Sequence, residues 1–431
     1  MKNKIIDLFA GAGGLSEGFR RNGFDIVAHV EMDRDASYTL KTREAYYYCK
    51  ENNMLSLYIS YLKGKVSREE LYKNIPKSVI NRVINEEISD NTLSLIFNKI
   101  DNRLENEKVL GIIGGPPCQA YSVAGRSRMK EKIKNDPRNY LYLYYLEFIK
   151  KYSPSFFVFE NVQGILSAKK GTIFQDIKDR MRKLGYTINY KLLDSNNFGV
   201  VQHRKRIIII GYKKELNIDY PKFDKINFKY SIKDLFQDLP KIKDGEINNN
   251  YSSNSNDCLE NLKIRNKSWN VLTYNQSRKL NDNDKEIYKI CIKNKNIKYC
   301  DLPNNLIKHN NKQAFLDRFK VVDYDKPCHT MVAHISKDGH HYIHPDINQC
   351  RSLTVREAAR IQTFPDDYYF ESSRTNAYKQ IGNAVPVFMA EQIAKKIKES
   401  LLLKQEWSCK IKVDTKKMCL LFLWYNLVKE M

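Results

Sequence analysis

Residues 4–33 constrain this chain more than any other stretch. KIIDLF (4–9) reads as a short buried strand, AGAGG (10–14) as a turn, LSEGFRRNG (15–23) as a helix stopped by Gly23, and DIVAHVEMD (25–33) as a second strand ending in Glu31 and Asp33. A strand, a glycine turn, a helix and a strand with an acid at its tip make the opening unit of a doubly wound nucleotide-binding sheet. Strand character returns at VLGIIGG (109–115), SFFVFENV (155–162) and RIIIIGY (206–212), with helical patterns at RNYLYLYYLEFIKKY (138–152) and GTIFQDIKDRMRKLGY (171–186). Strands alternating with helices predict an α/β fold with a doubly wound, mostly parallel sheet.

Other stretches have a different texture. Residues 46–108 are mainly helical in pattern, as in SREELYKNIPKSVINRVINEEI (67–88), and read as a long helical insertion. Beyond Tyr212 the chain turns rich in Asn and Lys, with a polar tract NNNYSSNSN (248–256) expected as an exposed loop. A helical pattern resumes at TVREAARIQTF (354–364) and continues after QIGNAVPVFMA (380–390) to about residue 403.

Composition narrows the partner. Lys and Arg number 73 against 50 Asp and Glu, a formal net charge of +23. That balance suits a polyanion, either nucleic acid or an anionic membrane surface, with a lysine-preferring proteome as the bland alternative. No apolar run approaches the roughly 18 residues of a membrane-spanning helix, so no membrane partner is expected. Asp7 inside the first apolar run argues against a signal peptide. Nine cysteines, scattered and without a CxxC, argue against a secreted disulfide framework and for a reducing cytoplasm.

Chemistry-bearing residues stand at the strand ends. Gly11, Gly13 and Gly14 would let a ligand approach the backbone at a helix N-terminus, or would serve tight packing alone. Ser16 stands where the last glycine of GxGxxG belongs, which weakens a nicotinamide dinucleotide reading. Glu31 suits a ribose diol, or is a solvated strand end. Cys118 in GGPPCQAYS is lifted onto a stiff turn after a strand, whereas a structural thiol would lie within the apolar run. Glu160, at the end of a buried strand, is placed to carry a proton. Gln202, Arg204 and Arg206 would share one face of a strand, suited to a base edge, a carboxylate or a phosphate; a solvated basic strand is the alternative.

At these residues the chain resembles the DNA cytosine-5 methyltransferases of the bacterial restriction-modification type. DLFAGAGG (7–14) is similar to the family's first motif. Pro116-Pro117-Cys118-Gln119 is similar to its nucleophile motif, with Tyr121 where Phe is usual. Glu160-Asn161-Val162 resembles the third catalytic signature, and Gln202-x-Arg204-x-Arg206 the fourth, with Val201 where Pro is common. RSLTVREAAR (351–360) and QIGNAVP (380–386) resemble the last two, and all stand in family order across residues 4–395.

The resemblance implies methyl transfer from S-adenosylmethionine to carbon 5 of a flipped-out cytosine in a specific double-stranded DNA sequence. It implies Cys118 as nucleophile, Glu160 stabilising the ring at nitrogen 3, Arg206 holding the base carbonyl, and Arg204 supporting the loop and the acid. Its cofactor matches are Phe9, Gly11, Gly13, Leu15, Glu31, Met32, Asn383 and Val385. Asp90 and Asp101 are candidates for the acid that the family sets against the adenine amino group. It implies a discontinuous catalytic domain, 1–212 plus about 351–403, a target-recognition domain over 213–350, and a C-terminal tail over 404–431. A monomer, a cognate restriction endonuclease acting on the same site and a cytoplasmic, DNA-associated location are expected with it.

Competing readings remain at this level. An RNA cytosine-5 methyltransferase shares the chemistry, but its Thr-Cys signature is absent. A transfer-RNA enzyme on the DNA-type fold would have a much shorter recognition region. A DNA-binding module with a dead site conflicts with the intact set of Cys118, Glu160 and Arg206. The histidines of PCHTMVAHISKDGHHYIHP (327–345) read as a metal site or as polar turns and strand caps, and the chemistry implied needs no metal. The apolar tail MCLLFLWYNLV (418–428) could pack on the large domain, mediate self-association or lie at a membrane.

Overall fold

The computed structural model describes residues 3–117, 140–227, 229–307 and 316–404. Seven strands form one sheet in the order β3-β2-β1-β4-β5-β7-β6. They are β1 (Lys4–Leu8), β2 (Asp25–Val30), β3 (Val83–Ile84), β4 (Gly111–Gly114), β5 (Phe156–Asn161), β6 (Tyr186–Asp194) and β7 (Lys205–Lys213). The strands from β3 to β5 are parallel, and β7 runs antiparallel between β5 and β6.

The period of two along β7 divides the core. Ile207 and Ile209 face one side of the sheet, Ile208 and Ile210 the other, all buried. The helices on the two faces are α1 (Gly14–Arg20), α2 (Arg34–Glu51), α3 (Leu93–Leu104), α4 (Leu141–Tyr152), α5 (Thr172–Lys183), α6 (Val355–Ile361), α7 (Arg374–Asn383) and α8 (387–404). α3, α4 and α5 pack with Ile207 and Ile209, and α1, α6, α7 and α8 with Ile208 and Ile210. Burial on both faces is why these strands read as continuous apolar runs.

Two expectations change. Residues 46–108 are not one helical insertion. β3 pairs with β2 through Val83 and Ile84, and α3 buries Ile96, Ile100 and Leu104 against the sheet. What lies outside the sheet layers is 52–82, whose Tyr58, Leu71 and Ile75 cluster with Trp269 and Val271. A two-residue strand has no periodicity to detect. The helix expected over 171–186 ends at Lys183, and Tyr186 already opens β6. β6 is an edge strand whose middle is exposed, so it lacks the apolar signal of its neighbours.

The Asn- and Lys-rich region shares one core with the sheet and keeps a smaller one of its own. Ile232, Leu235, Leu259 and Ile264 join the cluster under α6, while Ile287, Tyr288, Phe319 and Ile343 form a smaller one. The tail 405–431 lies outside the described residues, and among those no helix is long and apolar enough to cross a membrane. The histidines serve packing: His329 stacks on Tyr342 at 4.9 Å, and His340 meets the Tyr288 hydroxyl at 3.0 Å. Among the described residues no group of three or more His, Cys, Asp or Glu could hold a metal ion.

Buried acids make the fold acid-sensitive. Burial works to raise the carboxyls of Glu17 and Glu357, but Arg43 at the first and Arg351 at the second outweigh it and hold each at about 2. A depressed folded value gives stability that is present above the unfolded value, about 4.5, and lost as pH falls through the folded one. The contribution of these two acids to the urea midpoint should therefore fall steadily from about pH 4.5 to 2. A midpoint unchanged down to about pH 3 would contradict these pairings.

Candidate active site

The carboxyl ends of β1 and β2 build the first half of the site. The chain leaves β1 through left-handed residues at Phe9, Gly11 and Gly13, with φ of 54°, 54° and 75°. At Gly11 nothing lies within 4 Å of where a Cβ would project, so the turn is open there; at Gly13 a Cβ would meet Leu40 and the Tyr368 hydroxyl. That hydroxyl donates to the Ala12 carbonyl at 2.5 Å. A Cβ on Gly14 would lie 2.3 Å from the Val385 carbonyl oxygen, so the QIGNAVP segment closes directly against the turn. Leu15 and Val385 are buried and shape this wall from within the core.

Glu31 faces the turn from β2. Its Oε2 accepts the Gly11 N–H and its Oε1 the Asp33 N–H, each at 2.7 Å. Burial pushes its carboxyl above the ordinary value, against the pull of those two donors. Asp33 caps α2 by accepting from Asp35 and Ala36, which starts the helix just after Met32. Met32 is 61% exposed, an apolar side chain left at the lip, and Asn383 is exposed at the end of α7. An open left-handed glycine, a half-buried acid and a bare apolar lip fit a ligand with a diol and a flat ring. Asp101 is taken up by Tyr152 at 3.0 Å and Lys151 at 2.8 Å, and Asp90 by Tyr144. The sheet instead brings Asn85, just after β3, to Glu31 and Met32: its Nδ2 donates to their carbonyls at 2.9 and 3.0 Å. The sequence signal for Asn85 was hidden with that of β3.

The second half lies at the ends of β4, β5 and β7. Glu160 Oε1 pairs with Arg206 Nε at 3.0 Å. The antiparallel register sets Glu160 opposite Ile208, which puts Arg206 diagonally beside it on the same face. A Cβ on Gly115 would sit 2.6 Å from Glu160 Oε2, so the Gly-Pro-Pro loop passes directly over the acid. Cys118 and Tyr121, the next parts of that loop, lie outside the described residues.

Gln202 and Arg204 do not converge with Arg206. β7 begins only at Lys205, and both side chains turn into the interior. Gln202 Oε1 accepts the Met331 N–H at 2.7 Å, and Arg204 Nη1 donates to the Met331 carbonyl at 2.6 Å. Arg204 also reaches the Gly382 carbonyl at 3.3 Å. Burial, then the charge of Arg206, push Arg204 well below its ordinary value, with Glu160 opposing. Arg204 thus joins the 331 segment to the end of α7.

Asn161 has a role that its motif alone did not disclose. It is buried, and its Nδ2 donates to the Pro116 carbonyl at 3.1 Å, pinning the chain two residues before Cys118 in the sequence. Asn161→Ala is expected to lower the single-turnover methylation rate about 10- to 100-fold with cofactor affinity nearly unchanged, since small misplacements of a reacting group cost that much. An unchanged rate would remove Asn161 from this role.

A doubly wound sheet with an antiparallel strand between β5 and β6, a glycine turn after β1, an acid after β2 and an acid–arginine pair after β5 define a Rossmann-like methyltransferase. The chain belongs to the C-5 cytosine-specific DNA methylase family, whose family model matches residues 3–59 and 68–399; it is a DNA cytosine methyltransferase. It is 42% identical over 437 residues to a type II methyltransferase of Bacillus paralicheniformis, covering 92% of this chain and 98% of that one. A type II methyltransferase of Fusobacterium nucleatum is 30% identical over 421 residues, covering 96% and 99%. The fold is similar to that of a solved protein assigned as a DNA modification methyltransferase encoded within a prophage (E. coli), with TM-score 0.63, 24% identity and coverage of 92% and 99%.

Proposed function

We propose that this enzyme methylates carbon 5 of a flipped-out cytosine within a particular double-stranded DNA sequence, using S-adenosylmethionine, as the modification partner of a type II restriction endonuclease acting on the same site. The observation that carries the reading is the Glu160–Arg206 pair under the Gly-Pro-Pro loop. An acid beside a guanidinium matches one cytosine edge, which presents ring nitrogen 3 beside the base carbonyl. The base is out of reach inside a duplex and must leave the stack.

Phe9, Gly11, Gly13, Leu15, Glu31, Met32, Asn383 and Val385 would hold the cofactor, with Glu31 on the ribose hydroxyls and Met32 against the adenine. When bound, the cofactor supplies an electrophilic methyl group. The Cys118 thiolate adds to carbon 6, which makes carbon 5 nucleophilic and splits one hard step into easier ones. Glu160 hydrogen-bonds ring nitrogen 3 and stabilises the charge that develops on attack. Arg206 orients Glu160 and holds the base carbonyl. Loss of the carbon 5 proton and elimination of Cys118 then free the product.

Residues 213–350 act as the recognition region, reading base edges in the major groove. Gln202, Arg204 and Gly382 fix its orientation, since a Cβ on Gly382 would lie 2.3 Å from the Ala333 nitrogen. A monomer working on DNA in the cytoplasm accords with this reading. Bisulfite sequencing of host DNA expressing the chain should show 5-methylcytosine at one short recurring sequence. Absence of 5-methylcytosine from DNA, with methylation of RNA instead, would overturn it.

A further inference from the structure

We propose that His29 is a positioning residue for the cofactor turn: as an imidazolium it ties together the elements that carry the turn and Glu31, so cofactor affinity is lost when the ring deprotonates. The inference rests on the cofactor reading given above. His29 is buried on β2, two residues before Glu31. Its Nδ1 lies 3.1 Å from Asp7 Oδ2 and its Nε2 3.2 Å from Glu44 Oε1. Two carboxylates facing the two ring nitrogens call for an N–H on each. A neutral imidazole has only one and would set a lone pair against the other acid.

The placement of these acids gives the pair of bonds its consequence. Asp7 stands on β1, two residues before Phe9, where the turn begins. Glu44 stands on α2, the helix that follows Met32. Arg20, at the end of the helix that Gly14 and Leu15 open, pairs with Glu44. A small cavity lies between the turn and the ring, lined by Gly13, Ser16, Arg20, His29, Leu40 and Glu44 among others. The ring therefore bridges β1 to α2, and through Glu44 to α1.

The surrounding charges decide which way the ring titrates. Arg20 of α1 and Arg82, just before β3, both pair with Glu44. Arg43 of α2 is taken up by Glu17 of α1 at 2.6 Å and by Asp367 at 2.8 Å. Beyond Asp7 stands Tyr145 of α4, a neutral hydroxyl donating to the Ile112 and Val158 carbonyls. Among the described residues His29 is the ion-pair partner of Asp7. Burial opposes the ring's charge, but the bonds to Asp7 and Glu44 outweigh it and raise His29 above its ordinary 6.5. A raised folded value means that the tie is intact below the ordinary value and lost as pH rises through the folded one.

The test uses full-length protein labelled with 13C and 15N in histidine. The ring of His29, assigned by its loss in His29→Gln, is titrated by NMR, and binding of S-adenosylhomocysteine is measured by calorimetry over the same pH range. Two protonated ring nitrogens are expected at about pH 6. Affinity should then fall about tenfold as the ring titrates, the change produced by one unit of difference in the His29 value between free and loaded enzyme. His29→Gln should bind more weakly at low pH and lose that dependence. A ring that titrates at or below 6.5, a single-proton tautomer at about pH 6, or wild-type affinity that is constant through the titration overturns the proposal. Where His29→Gln does not fold, wild-type affinity over the pH range decides, and an affinity that does not fall as pH rises overturns the proposal. Failure to bind S-adenosylhomocysteine at any pH overturns the cofactor reading itself, whatever the ring's protonation.

Discussion

Replacement of Cys118 by Ser is expected to lower methyl transfer at least about 10⁴-fold, as loss of a covalent nucleophile does elsewhere, with cofactor affinity nearly unchanged. A serine hydroxyl stays protonated near neutrality, whereas a thiol is partly ionised and intrinsically a strong nucleophile. Scintillation counting of labelled methyl groups in DNA measures the loss, and near wild-type incorporation removes Cys118 from the role. DNA carrying 5-fluorocytosine at the target adds a positive signal. Fluorine cannot leave as a cation, so the adduct should survive denaturing electrophoresis and map to the peptide holding Cys118. A complex that dissociates on denaturation while ordinary DNA is methylated refutes the covalent route.

The largest expected effect on stability is at Arg360. It is fully buried; its Nη1 meets Asp238 at 2.5 Å and its Nη2 meets Asp366 at 2.5 Å, while Nε donates to Asp366 at 3.0 Å. Arg360→Met would leave Asp238 leaning on Arg265 and Asp366 on Arg356, whose Nη1 stands 3.5 Å away. Breaking one partner out of a buried ion cluster costs about 3–5 kcal/mol, because the remaining charges cannot recover their hydration. Equilibrium urea unfolding should show that loss. Arg360→Lys should fall between the two, since an ammonium cannot engage both carboxylates with a rigid fork. An Arg360→Met midpoint equal to wild type would show that the cluster contributes nothing net. Arg360 belongs to the RSLTVREAAR stretch, whose pattern marked it without showing that it joins α6 to the Asn- and Lys-rich region.

The chain order of elements, the glycine turn, the acid after β2, the ENV corner and the strand holding Arg206 could all be read from residues. Each depends on local sequence: apolar runs long enough to show their period, and glycine or proline where the backbone must turn sharply. Tertiary structure alone decided the rest. β3 is too short and β6 too exposed to carry a pattern, so only their neighbours define them. Gln202 and Arg204 alternate with Arg206 on paper, yet the chain is not a strand until Lys205, and their side chains go to Met331 instead of Glu160. Asn161 on Pro116, Tyr368 on Ala12 and His29 between Asp7 and Glu44 join residues 45, 356, 22 and 15 positions apart. Such pairings leave no local trace, because a buried polar group is satisfied by whatever the fold brings to it and not by its neighbours in sequence.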